Sequence, residues 1–124
     1  MSQVFVTIPY PPTVNHYWGF HGHRRFLTSK ANQFKAEVAH QVSLQSLRSL
    51  GSERLEVSIT LFPPDKRMRD IDNVIKSTLD ALCQSGLFED DSQVDVLLIL
   101  RGEVVKGGKA EVIVTTITKD LNPM

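Results

Sequence analysis

The chain reads as an α+β domain, a mixed β-sheet with two helices in the order β-α-β-α-β-β. Three observations carry that expectation. Apolar residues alternate at Leu55, Val57, Ile59 and Leu61, the pattern of a half-buried strand. They recur every three or four residues at Phe34, Val38 and Val42 and again at Ile71, Ile75, Leu79 and Leu82, the pattern of two amphipathic helices. Glycine and proline cluster between these runs, where turns belong. With 124 residues, 41% hydrophobic and 23% charged, the composition is that of one globular domain, residues 1–124, without repeat, low-complexity segment or linker.

Residues 3–8, Gln-Val-Phe-Val-Thr-Ile, form a first strand that Pro9 ends, and Pro11-Pro12 keep the next residues stiff and extended. From Thr13 to Leu27 a loop is expected, carrying Asn15, His16, Tyr17, Trp18, His21, His23, Arg24, Arg25 and Phe26. Loops of that length inside a compact domain are usually functional or mobile. Thr28 or Ser29 caps a helix running to about Leu47, although Leu44 and Leu47 fall off its apolar stripe, and Gly51-Ser52 break it. The strand around Leu55–Leu61 ends at Pro63-Pro64, which deliver a basic loop from Asp65 to Arg69. A second helix covers about Ile71 or Asp72 to Cys83, with Gly86 just past its end. Glu89-Asp90-Asp91 opens onto a strand from about Gln93 to Leu100. Its second half, Val96 to Leu100, is apolar on both faces, which predicts a central strand covered on both sides or one buried in a dimer. Gly107-Gly108 predicts a turn, so that a last strand, Ala110 to Thr118, returns antiparallel to its predecessor. Asn122-Pro123-Met124 reads as a frayed end.

A single cysteine, Cys83 on the apolar side of its helix, reads as a buried structural thiol and fits a reducing compartment. The segment Met1 to Val6 has no basic patch before its apolar run, and no stretch approaches 18 apolar residues. A soluble cytoplasmic protein with no membrane association is expected. Formal net charge is zero, from 14 basic and 14 acidic side chains, which counts mildly against a nucleic-acid binder. The distribution softens that objection. Arg24, Arg25 and Lys30, then Lys66, Arg67 and Arg69, then Lys106 and Lys109 all fall in expected loops, and several acids are candidate metal ligands whose charge an ion would offset.

The chemistry concentrates in Arg69-Asp70-Ile71-Asp72-Asn73, in Lys76 on the helix that follows, and in Asp90-Asp91. Asp70 and Asp72 share one face of extended chain while Ile71 points inward. Asp91 can complete a set of hard oxygen ligands suited to Mg²⁺ or Mn²⁺, with Asp90 the weaker candidate. A hard metal beside basic residues suggests a phosphate ester as substrate, and so a metal-dependent nuclease. The competing reading is that Asp70 and Asp72 are helix caps and solvated turn residues. Lys76, one helical turn after Asp72, either addresses a phosphate or makes an ordinary i,i+4 ion pair in a ladder with Asp80. Tyr17, Trp18 and Phe26 either stack on exposed bases or close an apolar layer beneath the loop. His16, His21 and His23 have no cysteine or acidic partner at zinc-ligand spacing.

The stretch from Pro63 to Asp91 closely resembles the RusA family of Holliday junction resolvases. The likeness rests on Lys66-Arg67-Met68-Arg69-Asp70-Ile71-Asp72-Asn73, Lys76, Leu79-Asp80-Ala81-Leu82, Gly86-Leu87-Phe88 and Asp90-Asp91-Ser92-Gln93-Val94. Pro9-Tyr10-Pro11-Pro12-Thr13-Val14-Asn15 and Lys106-Gly107-Gly108 extend it over nearly the whole chain. The resemblance implies a homodimeric, Mg²⁺-dependent endodeoxyribonuclease, with Mn²⁺ as substitute and no small-molecule cofactor, that resolves four-way DNA junctions by paired symmetric nicks. It also implies a bacterial cytoplasmic setting with phage or prophage origin. It places the metal ligands on Asp70, Asp72 and Asp91, completes the catalytic set with Lys76, and leaves Lys66, Arg67, Arg69, Asn73, Asn15 and Lys106 as DNA contacts. Met68 departs from the continuous basic run common in the family, which bears on affinity and salt sensitivity. The alternatives are a metal-dependent endonuclease for other branched DNA or RNA, an inactive junction-binding protein, and a small interaction domain whose acids are only caps.

Overall fold

A computed structural model of the chain describes residues 2–45 and 47–117, with the side chains of residues 14 and 15 outside that description. The elements in order are β1 (Gln3–Ile8), α1 (Val14–Tyr17), β2 (Trp18–His21), β3 (Arg24–Leu27), α2 (Ser29–Leu44), β4 (Arg54–Phe62), α3 (Ile75–Gln84), β5 (Val94–Arg101) and β6 (Lys109–Ile117). Short 3-10 turns at Ile71–Val74 and Asp91–Gln93 lead into α3 and β5. Four strands form one mixed sheet in the order β1-β6-β4-β5, and β2 and β3 form a separate hairpin.

Register explains where the core lies. Val114 of β6 stands opposite both Val4 of β1 and Val57 of β4, so the alternating apolar residues of three strands fall on one face. That face carries Val4, Val6, Ile8, Leu55, Val57, Ile59, Leu61, Ala110, Val112 and Val114, packed with Phe34, Val38 and Val42 of α2 and Leu79, Ala81 and Leu82 of α3. Thr28 begins α2 by accepting from the Ala31 N–H at 3.2 Å, a cap of the expected type. The opposite face presents Glu56, Ser58, Thr60 and Glu111 and has no helix of its own among the described residues. The α+β class and the two long helices match the sequence expectation, and β1 and β4 fall at or within a residue of their expected bounds.

The rest of the topology departs from that expectation. Thr13–Leu27 is a short helix and a hairpin, not a loop. Its strands lie off the main sheet with β3 largely exposed, so no apolar alternation marked them, and Gly22, at φ 65°, supplies the left-handed residue their tight turn needs. Helix α2 stops at Leu44, which is solvent-exposed, and Leu47 turns back to the Val42 carbonyl. Strand β5 is an edge, not a central strand. It pairs in parallel with β4 alone, and a strand with apolar residues on both faces reads alike whether layers cover it or nothing does. Strand β6 does run opposite to β5, but it pairs with β4 and β1. The Gly107-Gly108 turn, both residues at positive φ, therefore closes a crossover past β4 instead of a hairpin. Thr118 and Asn122–Met124 lie outside the described residues.

Candidate active site

The parallel β4–α3–β5 unit brings the candidate residues to the helix-covered side of the sheet. After β4, Pro63 and Pro64 end the ladder and Asp65 organises the basic loop. Its carboxylate accepts from the Arg67 N–H at 2.9 Å and from Arg69 Nη1 at 2.7 Å. The Arg69 contact above all, reinforced by Arg67, holds the Asp65 carboxyl well below the usual carboxylate range. The Arg69 guanidinium also lies 5.8 Å from the centre of the Tyr10 ring, and its carbonyl accepts from Arg101 at the end of β5. Arg69 is thus tethered between the exits of β1 and β5, while Lys66, Arg67 and Met68 stay exposed.

Asp70 occupies the N-cap position of the 3-10 turn in extended conformation, but its side chain makes no capping hydrogen bond. Asp72 follows in the first turn, and both carboxylates are exposed. Ile71 between them packs against the core as the alternation predicts. One turn on, Lys76 Nζ bridges two carboxylates, Asp80 at 3.0 Å and Asp91 at 2.9 Å. Asp91 first and Asp80 next raise the pKa of the ammonium above its ordinary value. Among the described residues no ion pair joins Lys76 to Asp72. The local i,i+4 pair is real, and the partner from the start of β5 goes beyond it.

Asp91 is placed by its neighbours. Asp90 caps the turn, accepting from the Ser92 N–H at 3.0 Å. Buried Gln93 accepts from the Glu89 and Asp90 N–H groups at 2.8 Å each and donates to the Gly51 and Glu53 carbonyls at 3.0 and 2.6 Å. That fixes the turn against the start of β4. Asp90 is therefore a structural cap, and Ser92 holds its pKa below the ordinary value. Cys83 is half-buried, not fully buried, and donates to the Glu89 carbonyl at 3.0 Å. Burial, with the nearby carboxylates, pushes its thiol up.

The hairpin is attached to the same network. Tyr17 is buried and its hydroxyl donates to Asp80 at 3.2 Å. Burial chiefly, and Asp80 as well, raises the pKa of that hydroxyl. Trp18 lies edge-on to Tyr17 with 5.2 Å between ring centres, and the Arg25 guanidinium sits 3.9 Å above its ring. Of the three aromatics singled out in the sequence, Tyr17 belongs to the interior, Trp18 is sandwiched, and Phe26 is exposed. The most exposed aromatic, Phe20 at 70%, was not singled out.

A cleft of about 320 Å³ is lined by Tyr10, Thr13, Met68, Arg69, Asp70 and Asn73. A neighbouring hollow of about 380 Å³ shares Tyr10, Thr13, Met68 and Arg69 and adds His16, Lys30 and Arg67. Asp70, Asn73 and Arg69 therefore line one cleft, and Arg67 lines the hollow that shares Arg69 with it. Lys106 is exposed in the turn before β6, and Lys109 is engaged by Glu111 at 3.3 Å and by the Phe62 ring. The Asn15 side chain lies outside the described residues. Among the described residues no three His, Cys, Asp or Glu side chains converge closely enough to hold a metal ion. Sequence reasoning missed Asp65, Gln93, Tyr17 with Asp80, and Arg101. Gln93, Tyr17 and Arg101 act through partners distant in sequence, which residue spacing does not encode, and Asp65 acts on Arg67 and Arg69 just after it in a loop with no helical period to mark the pair.

Comparison with known proteins adds to this geometry. Residues 9–116 match the family model described as Endodeoxyribonuclease RusA. The chain is 32% identical over 117 residues to a protein named crossover junction endodeoxyribonuclease rusA from Enterobacteria phage HK97, covering 94% of this chain and 98% of that one. It is 30% identical to the proteins of that name from Enterobacteria phage 82 and Escherichia coli strain K12, in each case covering 93% of this chain and 96% of the relative. With the family model matching residues 9–116 and the relatives matching almost end to end, the chain belongs to the RusA family of endodeoxyribonucleases.

Proposed function

We propose that the protein is a Mg²⁺-dependent endonuclease that resolves four-way DNA junctions by paired nicks, working as a homodimer. The observation that carries this reading is the Lys76–Asp91 ion pair, which joins α3 to the start of β5 beside a cleft containing Arg69, Asp70 and Asn73. Family membership supports a junction-resolving nuclease in general terms.

By chemistry the donor set suits a hard divalent cation, three carboxylates with the Asp70 side chain not engaged as a cap and Asp72 exposed, and the three would have to draw together around the ion, since they do not converge in this structure. Asp70, Asp72 and Asp91 would hold Mg²⁺, with Mn²⁺ able to replace it. When bound, the ion supplies charge neutralisation at the phosphate and lowers the pKa of an attacking water. The chain's own side chains do the remaining work. Lys76, held by Asp80 and Asp91, brings a positive charge to the site. It balances Asp91 and offers an N–H to a phosphate oxygen. Asp80 positions Lys76, and Tyr17 positions Asp80. Arg69, braced by Asp65, and Asn73 hold the phosphate backbone in the cleft, with Arg67, Lys66, Lys106 and Asn15 contacting it farther out. Those contacts locate the scissile bond but carry no sequence information.

The test is a nicking assay on a four-way junction, a Y-fork, linear duplex and single strand, with and without Mg²⁺. Symmetric incisions confined to the junction and dependent on Mg²⁺ are expected. Equal cutting of linear duplex would overturn junction resolution in favour of a general nuclease, and tight junction binding without cutting would make the protein a binder. Asp70→Asn is expected to abolish Mg²⁺-dependent cutting while junction affinity in a gel-shift measurement changes little.

A further inference from the structure

Strand β5 is anomalous for the outer strand of a sheet. Edge strands are ordinarily guarded by lysine, proline, brevity or a bulge. This one runs for eight residues, and its Val96–Leu100 stretch is wholly apolar. Val96, Leu97, Leu98 and Leu100 are 45%, 39%, 51% and 45% exposed. They occupy both faces, because Val96, Leu98 and Leu100 stand beside Glu56, Ser58 and Thr60 while Leu97 stands beside buried Val57. Its irregularity, between Leu55 and Glu56 of the partner strand, falls at the β5 start and leaves Val96 to Arg101 regular. On the open face, β4 is polar beside β5. A partner lying flat on that face would cover Glu56, Ser58 and Thr60, whereas one added at the edge meets only β5.

We infer that the outer edge of β5 pairs antiparallel with β5 of a second copy of this chain, with Leu98 on the two-fold axis, so that two four-stranded sheets become one of eight strands. This rests on the homodimer of the proposed function and names its interface. The sequence of the strand selects the register. With Leu98 on the axis, Val96 faces the partner's Leu100 and Leu97 faces the partner's Ile99. Asp95, the extra residue where β5 slips against Leu55 and Glu56, is already held by Arg54, so the apolar residues select the register. Moving the axis to Ile99 sets Val96 against Gly102 and Leu97 against Arg101, and moving it to Leu97 takes Ile99 and Leu100 out of the apolar run. Only the Leu98 register sets all five residues from Val96 to Leu100 against one another.

Symmetry supplies an independent reason. Residues facing each other across an antiparallel ladder point to the same side of the sheet. A residue facing its own copy therefore requires an axis perpendicular to the sheet, and that axis keeps the helix-covered faces of both subunits on one side. Arg69, which Arg101 of β5 contacts, and Lys76, which contacts Asp91 just before β5, lie on that side in each copy. Both clefts then flank the axis and open toward a single two-fold substrate. A dimer stacked through the open faces would turn the two clefts away from each other.

The experiment combines sedimentation equilibrium with cysteine cross-linking in a Cys83→Ser background. Wild type is expected at twice the 13.9 kDa chain mass. Leu98→Glu places two carboxylates on the axis and is expected at the single-chain mass, with an unchanged far-UV circular dichroism spectrum because Leu98 is half exposed. Opposed Cα atoms in such a ladder lie about 4.5 to 5.5 Å apart, within reach of a disulfide. Leu98→Cys should therefore cross-link on oxidation, Val96→Cys should not, and Val96→Cys/Leu100→Cys should. A monomeric wild type, a dimeric Leu98→Glu or cross-linking of Val96→Cys alone would overturn the interface. Junction cutting by wild type together with any of those results removes the interface and leaves the activity. The expected cross-links in a protein that cuts nothing keep the interface and remove the activity.

Discussion

Single side chains in this protein act mainly by fixing one another, and Asp65 is the clearest case. It sets the turn of the basic loop through the Arg67 N–H and restrains the Arg69 guanidinium. Its folded pKa is depressed, so its contribution to stability is fully present above the unfolded value, about 3.9, and is lost as pH falls through the lower folded value. Urea unfolding across pH 2 to 6 should therefore show wild type losing stability more steeply in that window than Asp65→Asn. Such a residue is invisible to pattern reading, because it precedes the motif and looks like one more turn aspartate. Asp70 and Asp72 were legible as candidates from residue type and spacing, and so was Lys76. What spacing could not give is that Lys76 reaches Asp91, since a pairing across 15 residues depends on how α3 lies against β5.

At the level of elements, the β2–β3 hairpin turns a tract with no acidic residue before Glu37 into a displayed surface. Its base is anchored by buried Tyr17 on Asp80. A Cβ on Gly19 would come within 2.5 Å of the Phe26 ring, so the ring lies directly over the β2 backbone there. Phe20 and Arg24 stand outward, with Arg25 laid over Trp18 beside them, a basic and aromatic combination suited to unpaired nucleotides at a branch point. Phe20→Ala is expected to weaken junction binding by about 1 to 2 kcal/mol with the salt dependence unchanged. Arg24→Ala should weaken it and also reduce the slope of log affinity against log salt by about one. Fluorescence anisotropy over a salt series measures both. The elements that sequence pattern located with their core face, β1, α2, β4, α3 and β6, all carry an apolar stripe into the core. The hairpin carries none, and the partner choice of β5 and β6 depends on long-range register, so local periodicity could not reveal either.

For the molecule as a whole, Gln93 is the joint. Its amide ties the start of β4 to the turn that presents Asp91, through four backbone groups on segments some 40 residues apart in sequence. Gln93→Leu leaves those groups without partners in a buried position and is expected to destabilise the fold by about 3 kcal/mol. The melting temperature should fall by roughly 10 °C, read by thermal circular dichroism. The architecture also bears on how the protein comes into being. Strand β6, the last of the described strands, is an inner strand that separates β1 from β4. While the chain is still emerging from the ribosome, β1 has no neighbour in the sheet and the helices have no completed surface to cover. The acidic motif is translated well before that gap is filled, so a half-made chain carries every candidate ligand and no folded cleft. The cleft is therefore expected to form only once β6 has been made and has filled the place between β1 and β4.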